Sequence, residues 1–245
     1  MSFAFCNGLV LSGVHLFDNP KNHIHTLSCN GAVFSHLTIT APKDAPNTDG
    51  INIAESTGVQ IYNCTIGTDD CISVLNHTSN VNISYITCGP GHGISIGSLG
   101  KDGSVGIVEQ IHVSHSKFTG TMNGVRIKTW QTQSIRVSDV SFIGVRGTST
   151  ALNAIFLRCS GPKGCTNVVL NDVNITSAVP RKEVQAICQN VQGPACNNCT
   201  PKQPSSLESD TWRFLLRISK GLLSNHYIII TTTTTTISSS KILYF

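Results

Sequence analysis

The sequence is poor in charged and aromatic side chains. Asp, Glu, Lys and Arg make up 12% of its 245 residues and Phe, Trp and Tyr make up 6%, whereas Gly occurs 21 times. This composition favours a protein of strands and turns over a helical one. The formal net charge of +4 is too small to indicate a nucleic-acid partner, although it does not oppose an acidic polysaccharide.

Long apolar runs are also missing from the sequence, so we expect no membrane span. Residues 1–6 have neither a basic n-region nor a long apolar h-region, and no signal peptide is visible there. Ten Cys and five N-x-[ST] sequons nevertheless agree with secretion into an oxidising compartment, the sequons being at Asn63, Asn76, Asn82, Asn174 and Asn198. We therefore expect a secreted, extracellular protein whose N-terminus is shortened.

An internal repeat is the main structural signal. A six-residue unit, apolar at both ends and polar at its second and third residues, occurs at Phe34–Ile39, Ile61–Ile66, Ile83–Cys88, Val113–Phe118, Val137–Phe142 and Leu170–Ile175. The irregular spacing of these units excludes a propeller. It predicts an all-β fold, a right-handed parallel β-helix over residues 1–200, in which each turn (here called a coil) stacks on the next. A β-sandwich is the alternative, because it also alternates apolar and polar residues.

The composition changes after about residue 200. Pro201–Ser206 has the composition of a linker, and Ile228–Ile237 is uncharged, low in complexity and rich in β-prone residues. We predict that residues 201–245 form an atypical tail that is not part of the fold.

Two adjacent carboxylates, Asp69 and Asp70, lie between Gly67 and Cys71 with β-prone residues on either side. Side chains alternate along a regular strand, so both can reach one site only if the backbone bends. Gly67 is placed to permit that bend. An isolated Asp-Asp pair is otherwise typical of a polar turn between strands.

Three further stretches add polar groups of complementary chemistry. Asp49 lies in an Asn-Thr-Asp-Gly stretch, and His92 lies between two glycines that would let its ring approach a neighbouring coil. Arg126 and Lys128 are two residues apart on an apparent strand, so they share a face. Each signal is weak alone, since a lone His is usually a core or surface residue and a lone basic pair is usually solvated.

The four stretches, in this order, resemble the motifs of the polygalacturonase family of glycoside hydrolases, which cut pectin. The resemblance covers roughly residues 7–199, and the plant branch fits best, for example at Pro90–Gly100. It implies a parallel β-helix that hydrolyses α-1,4-galacturonosyl linkages in polygalacturonan with inversion, in cell wall modification. We expect a monomer that binds this acidic polysaccharide and uses no metal or other cofactor.

The resemblance also implies a role for each acidic residue. Asp69 would donate a proton to the leaving oxygen, while Asp49 and Asp70 would hold and deprotonate the attacking water. His92 would hydrogen-bond to one of these carboxylates and tune it. Three close carboxylates repel one another, which should raise the pKa of at least one of them.

The two cations are expected to bind substrate. Galacturonate carries a carboxylate on each sugar, to which Arg126 offers a planar fork and Lys128 a point charge. These residues would therefore select a uronic-acid polymer over a neutral glucan.

The cysteines indicate disulfide bonds within the repeat. Cys71 and Cys88 are 17 residues apart, near one coil, so they can stack, and the resemblance implies that they are bridged. Cys159 and Cys165 bracket a short loop and are expected to form a second bridge. Cys188 is expected to pair with Cys196 or Cys199. Three other cysteines are expected to stay thiols: Cys6, Cys29 and Cys64.

The chain departs from the family pattern after Trp130. Family members run through another coil before the segment that resembles Ile135–Thr148, and here only four residues intervene. An internal coil is therefore lacking, together with a Tyr that lines the family's cleft. Two alternatives stay open: an inactive fragment or pectin-binding remnant, and a Ca²⁺-dependent β-helix like the pectate lyases, in which Asp clusters hold the ion.

Overall fold

This computed structural model describes residues 1–42, 44–130, 135–159, 164–192, 195–202, 227–230 and 234–242, of which 195–196, 227–230 and 234–242 are described by their backbone alone. These residues form one 3-10 helix (Lys101–Gly103) and 24 strands: β1 (Ser2–Ala4), β2 (Val10–Ser12), β3 (His15–Phe17), β4 (Ile24–Leu27), β5 (Val33–Ser35), β6 (Thr38–Thr40), β7 (Ile51–Ala54), β8 (Thr57–Tyr62), β9 (Thr65–Gly67), β10 (Asp70–Val74), β11 (Thr78–Ser84), β12 (Thr87–Cys88), β13 (Gly93–Leu99), β14 (Val108–Thr119), β15 (Val125–Thr129), β16 (Ser138–Ser149), β17 (Asn153–Arg158), β18 (Cys165–Asn171), β19 (Asn174–Ser177), β20 (Gln185–Gln189), β21 (Val191–Gln192), β22 (Ala195–Asn197), β23 (Tyr227–Ile230) and β24 (Thr234–Ile242). Within the described ranges, no helix has the length and hydropathy of a membrane span.

The strands belong to two sheets in which neighbours come from successive coils. The nine-stranded sheet has the order β1-β4-β7-β10-β13-β15-β23-β17-β20, and the other sheet runs from β2 through β5, β8 and β11 to β14. Strands β1 to β15 pair in parallel, as a chain that climbs one coil at a time requires. The structure confirms the predicted parallel β-helix, with about seven turns.

Columns of apolar side chains fill the interior. The register aligns Ile24, Ile51, Ile72, Ile94 and Val125 on five successive coils, and each is at most 1% exposed. Burying one such side chain stabilises the folded state by about 1.5–3 kcal/mol. The apolar ends of the repeated unit therefore have a direct structural cause, since they form the core.

The polar third residue of each repeated unit lies at a bend in the coil. All six adopt a left-handed backbone with φ between 48° and 56°: His36, Asn63, Tyr85, His115, Asp139 and Asp172. Asn, Asp and His tolerate this conformation better than most residues do. Five of the six positions carry one of these residue types, which explains why the unit is polar there.

Two strands near the C-terminus lie inside the fold, which corrects the sequence prediction for these segments. The strand β23 pairs antiparallel with both β15 and β17, and β24 pairs antiparallel with both β14 and β16. They occupy the gap where an internal coil is lacking. Without them, four strand edges, those of β14, β15, β16 and β17, would present unpaired backbone groups, which an uncharged β-prone stretch can pair. Residues 203–226, 231–233 and 243–245 lie outside the described part of the chain.

Both disulfides that the sequence predicted within the repeat are present. Cys71 is bonded to Cys88, with their Cα atoms 5.9 Å apart, and Cys159 is bonded to Cys165. The Cys71–Cys88 bond ties the turn that carries the acidic pair to the following coil.

The predicted pairing of Cys188 is wrong, because Cys188 is a free thiol. It lies on β20 of the nine-stranded sheet, whereas Cys199 follows β22, which pairs with β18 of the other sheet. Burial raises the pKa of the Cys188 thiol to about 11. Cys199 is disulfide-bonded, and the side chain of Cys196 lies outside the described part. The remaining free thiols agree with the prediction: Cys6, Cys29 and Cys64.

Candidate active site

The acidic pair lies where β10 begins. Asp70 pairs with Gly93 of the next coil, but Ile72 pairs with Ile94, so β10 carries one extra residue at Cys71. Such a bulge re-aims the side chains beside it. Both carboxylates consequently reach the following coil, as the sequence requires if they are to share a site.

Glycines let the coils approach each other closely at this turn. Gly67 was expected to permit a bend of the backbone, but it does not adopt a left-handed conformation. A Cβ at this position would lie 3.0 Å from the carbonyl oxygen of Gly89. A Cβ on Gly91 would lie 1.7 Å from the carbonyl oxygen of Thr68. Glycine is therefore needed beside His92 because the backbone of the preceding coil occupies the space of a side chain.

Asp69 is held by the next coil and by the preceding one. Its Oδ1 contacts Nδ1 of His92, and its Oδ2 accepts a hydrogen bond of 2.9 Å from the backbone N–H of Asn47. The backbone N–H of His92 also donates to the carbonyl oxygen of Asp69. Contacts from both neighbouring coils therefore hold the Asp69 carboxyl group in place.

Asp70 is the most enclosed of the three carboxylates, with a side chain 8% exposed. Its Oδ1 accepts a hydrogen bond of 2.6 Å from the hydroxyl of Ser95 and one of 2.7 Å from Nη2 of Arg126. Its Oδ2 is 3.5 Å from Nζ of Lys128, which is a long contact. The two predicted substrate-binding cations therefore contact Asp70 in this structure.

Asp49 lies on the coil before Asp70. Its Oδ1 is 3.4 Å from the backbone N–H nitrogen of Asp70. Burial raises the pKa of the Asp49 carboxyl, the charge of Asp70 raises it further, and a hydrogen bond from Asn52 opposes both effects. The raised pKa of Asp49 agrees with the expectation that close carboxylates raise the pKa of at least one of them.

The structure brings all six predicted site residues into one cluster. Asp49 neighbours Asp70, which contacts the two cations, while the adjacent Asp69 contacts the imidazole. Sequence reasoning missed Ser95, which lies in the Gly-His-Gly-Ile-Ser stretch and joins Asp70 to Arg126. Alternation along the strand places Ser95 on the same face as Gly93, and this much could be predicted from the sequence. Only the register of the strands shows that Asp70 and Arg126 lie beside Ser95.

The fold and this cluster define the class: a parallel β-helix that carries the paired carboxyl groups typical of glycoside hydrolases. A sequence profile described as Glycosyl hydrolases family 28 matches residues 1–143 and 131–200. The chain belongs to this family. The two matches overlap over residues 131–143, just after β15, where the sequence indicates a lacking coil.

Curated relatives of this chain are named polygalacturonases. A probable polygalacturonase of Arabidopsis thaliana is 39% identical over 79% of this chain and 52% of its own length. A polygalacturonase of Cryptomeria japonica is 34% identical over 82% of this chain and 48% of its own length. The chain therefore spans about half the length of these relatives.

Solved structures show the same fold. An exopolygalacturonase from Thermotoga maritima matches with a TM-score of 0.55 at 15% identity, covering 80% of this chain and 54% of that one. Endopolygalacturonase I from Stereum purpureum, complexed with two galacturonate molecules, matches with a TM-score of 0.51 at 22% identity, covering 81% and 61%.

Proposed function

We propose that this chain hydrolyses α-1,4-galacturonosyl linkages in polygalacturonan with inversion of configuration. The observation that carries the proposal is the cluster itself, in which an Asp69–His92 pair lies beside a second pair of carboxylates, Asp49 and Asp70. Glycoside hydrolysis requires one carboxyl group as acid and another as base or nucleophile. The polygalacturonase names of the relatives supply the substrate class.

In the proposed reaction, Asp69 gives its proton to the glycosidic oxygen as the bond from that oxygen to C1 breaks. Asp69 stays in contact with His92, and after product release Asp69 takes up a proton from water while Asp49 gives one to water, so both carboxyl groups return to their starting state. A water molecule between Asp49 and Asp70 attacks C1 from the opposite face and loses a proton to Asp49. The raised pKa of Asp49 makes its carboxylate a stronger base for that step.

Substrate selection is assigned chiefly to Lys128. Its contact with Asp70 is long and its side chain is 21% exposed, so it can turn toward a sugar carboxylate at small cost. Arg126 is 14% exposed and makes a short bond to Asp70, so its first role is to hold that carboxylate.

The deciding experiment compares Asp69→Asn with Asp102→Asn, a change of an exposed Asp in the 3-10 helix. We expect the full chain to release reducing ends from polygalacturonate, Asp69→Asn to lose at least about 100-fold in kcat, and Asp102→Asn to match the wild type. Proton NMR of the first product would show the inverted anomer. A folded wild-type chain that releases nothing would refute the proposal and favour the pectin-binding remnant.

A lyase is not favoured, because the family match is to hydrolases. Chelation of Ca²⁺ should leave the rate unchanged. The proposal also includes a monomeric state and secretion to the cell wall, and the ten Cys and the disulfides described above support secretion. Gel filtration would test the monomeric state, and detection of the native protein in a cell-wall fraction would test secretion.

A further inference from the structure

A fully buried hydroxyl lies between two charged groups of the cluster. Ser95 is 0% exposed and lies on β13, between the coil of Asp70 and the coil of Arg126. It donates to Oδ1 of Asp70 at 2.6 Å and accepts from Nε of Arg126 at 2.7 Å. A hydroxyl offers one donor and two acceptor sites, so both bonds form at once.

The three groups close a ring of hydrogen bonds. Arg126 uses Nε on the Ser95 hydroxyl and Nη2 on Oδ1 of Asp70, so its rigid planar fork spans both partners. Both short bonds to Asp70 end on Oδ1. Among the described residues, Oδ2 has only the long contact with Lys128 and is therefore the oxygen left to receive another polar group.

We propose that Ser95 is a positioning residue that fixes the carboxylate plane of Asp70, so that Oδ2 faces the attacking water. The assignment rests on the proposed hydrolase function. Ser95 acts through Asp70 and Arg126, and as a fully buried residue it does not touch the substrate. Its removal should therefore change kcat rather than KM.

The matched variants are Ser95→Ala, Ser95→Thr and Ser73→Ala. Ser73 is 3% exposed and holds the same register position one coil earlier, so its change controls for loss of a buried hydroxyl from this column. We expect Ser95→Ala to lower kcat by about 10- to 100-fold, since a misplacement of about 1 Å can cost 100-fold. KM should stay within about 2-fold, and Ser73→Ala should keep the wild-type kcat.

The Thr variant separates positioning from stability. It keeps the hydroxyl but adds a methyl group at a filled position, which lowers Tm through overpacking. We expect Ser95→Thr to lose more Tm and less kcat than Ser95→Ala. A kcat that falls in step with Tm across both variants would show a purely structural role and overturn the proposal.

A readout independent of turnover is the ¹⁵N signal of the Arg126 Nε–H, assigned by its loss in Arg126→Lys. In the wild type this hydrogen is held by Ser95, so its exchange with water should be slower than in Ser95→Ala and unchanged in Ser73→Ala. Equal exchange in wild type and Ser95→Ala would refute the bridge. An inactive wild type with slow exchange would instead refute the hydrolase function and the role of Ser95 in turnover, while the bridge itself would stand.

Discussion

The Nη2 atom of Arg126 lies 2.7 Å from Oδ1 of Asp70, although 56 residues separate them in the sequence. They lie two coils apart, on β15 and β10, with β13 between them. An Arg and a Lys on one face were expected to bind the same substrate group. The structure instead distinguishes them, because Arg126 is bonded to Asp70 and Ser95 while Lys128 makes only a 3.5 Å contact.

This difference predicts that substitution of Lys128 changes mainly KM, whereas substitution of Arg126 changes mainly kcat. Lys128→Gln should raise KM for polygalacturonate by about 10-fold with kcat within about 3-fold, because it removes uniform substrate binding. Arg126→Gln should lower kcat by about 100-fold, because it misplaces Asp70. Lys117→Gln, a change of an exposed lysine on β14, is the control for charge alone. Equal KM effects at both positions would contradict the division of roles.

Asp49→Asn is expected to stabilise the protein at neutral pH. Burial and the charge of Asp70 raise the folded-state pKa of Asp49, so the folded state holds its proton more tightly than the unfolded state does. The contribution is fully present below the unfolded value of 3.8 and is lost as pH rises through the folded pKa. Asn cannot ionise, so it avoids that loss.

The Tm of the wild type and of Asp49→Asn, measured at about pH 3 and at pH 7, tests this predicted stabilisation. The variant should exceed the wild type at pH 7 by roughly 2–4 °C, the shift that about 1 kcal/mol gives in a domain of this size. At about pH 3 the two Tm values should converge. A variant less stable than the wild type at pH 7 would show that the Asp49 carboxylate stabilises the fold instead.

The register of β24 predicts which engineered cysteines can bond. Thr119 of β14 is directly opposite Thr234, and directly opposite Cα atoms of an antiparallel pair are about 4.5–5.5 Å apart, within the disulfide range. Thr119→Cys with Thr234→Cys should therefore form an intramolecular disulfide, read by peptide mass spectrometry. The pair Thr119→Cys with Thr235→Cys is the control, because a one-residue offset places the positions on opposite faces.

Equal crosslinking of both pairs would mean that the strand has no fixed register. A crosslink found only in a covalent dimer would mean that the strand comes from a second copy.

The sequence predicted the features that repeat and those that have a local motif. The recurring unit predicted the β-helix, and the motifs predicted six residues of the cluster because each falls at an equivalent place on its coil. Ser95 could not be assigned a role this way, since its neighbours are set by the register of three strands rather than by any local pattern. The predicted disulfide of Cys188 was wrong for the same reason, because the sheet on which each cysteine lies is a non-local property.

The position of β23 and β24 could not be predicted from the local sequence for a different reason. Strand propensity showed that Ile228–Ile237 was β-prone, but pairing with a distant open edge leaves no mark in the segment itself. The lacking coil and the unusual C-terminal stretch were each visible alone. Only the structure connects them.

The insertion of β23 beside β15 has a consequence for the order in which the protein is made. Synthesis proceeds from the N-terminus, and folding generally follows it. The strand that carries Arg126 and Lys128 leaves the ribosome long before residues 227–230, which cover its free edge. The nascent chain thus has its whole acidic cluster early, while the sheet that carries the cations stays open until a late segment arrives. A ribosome that stalls between the two would therefore display an unpaired edge directly beside the site.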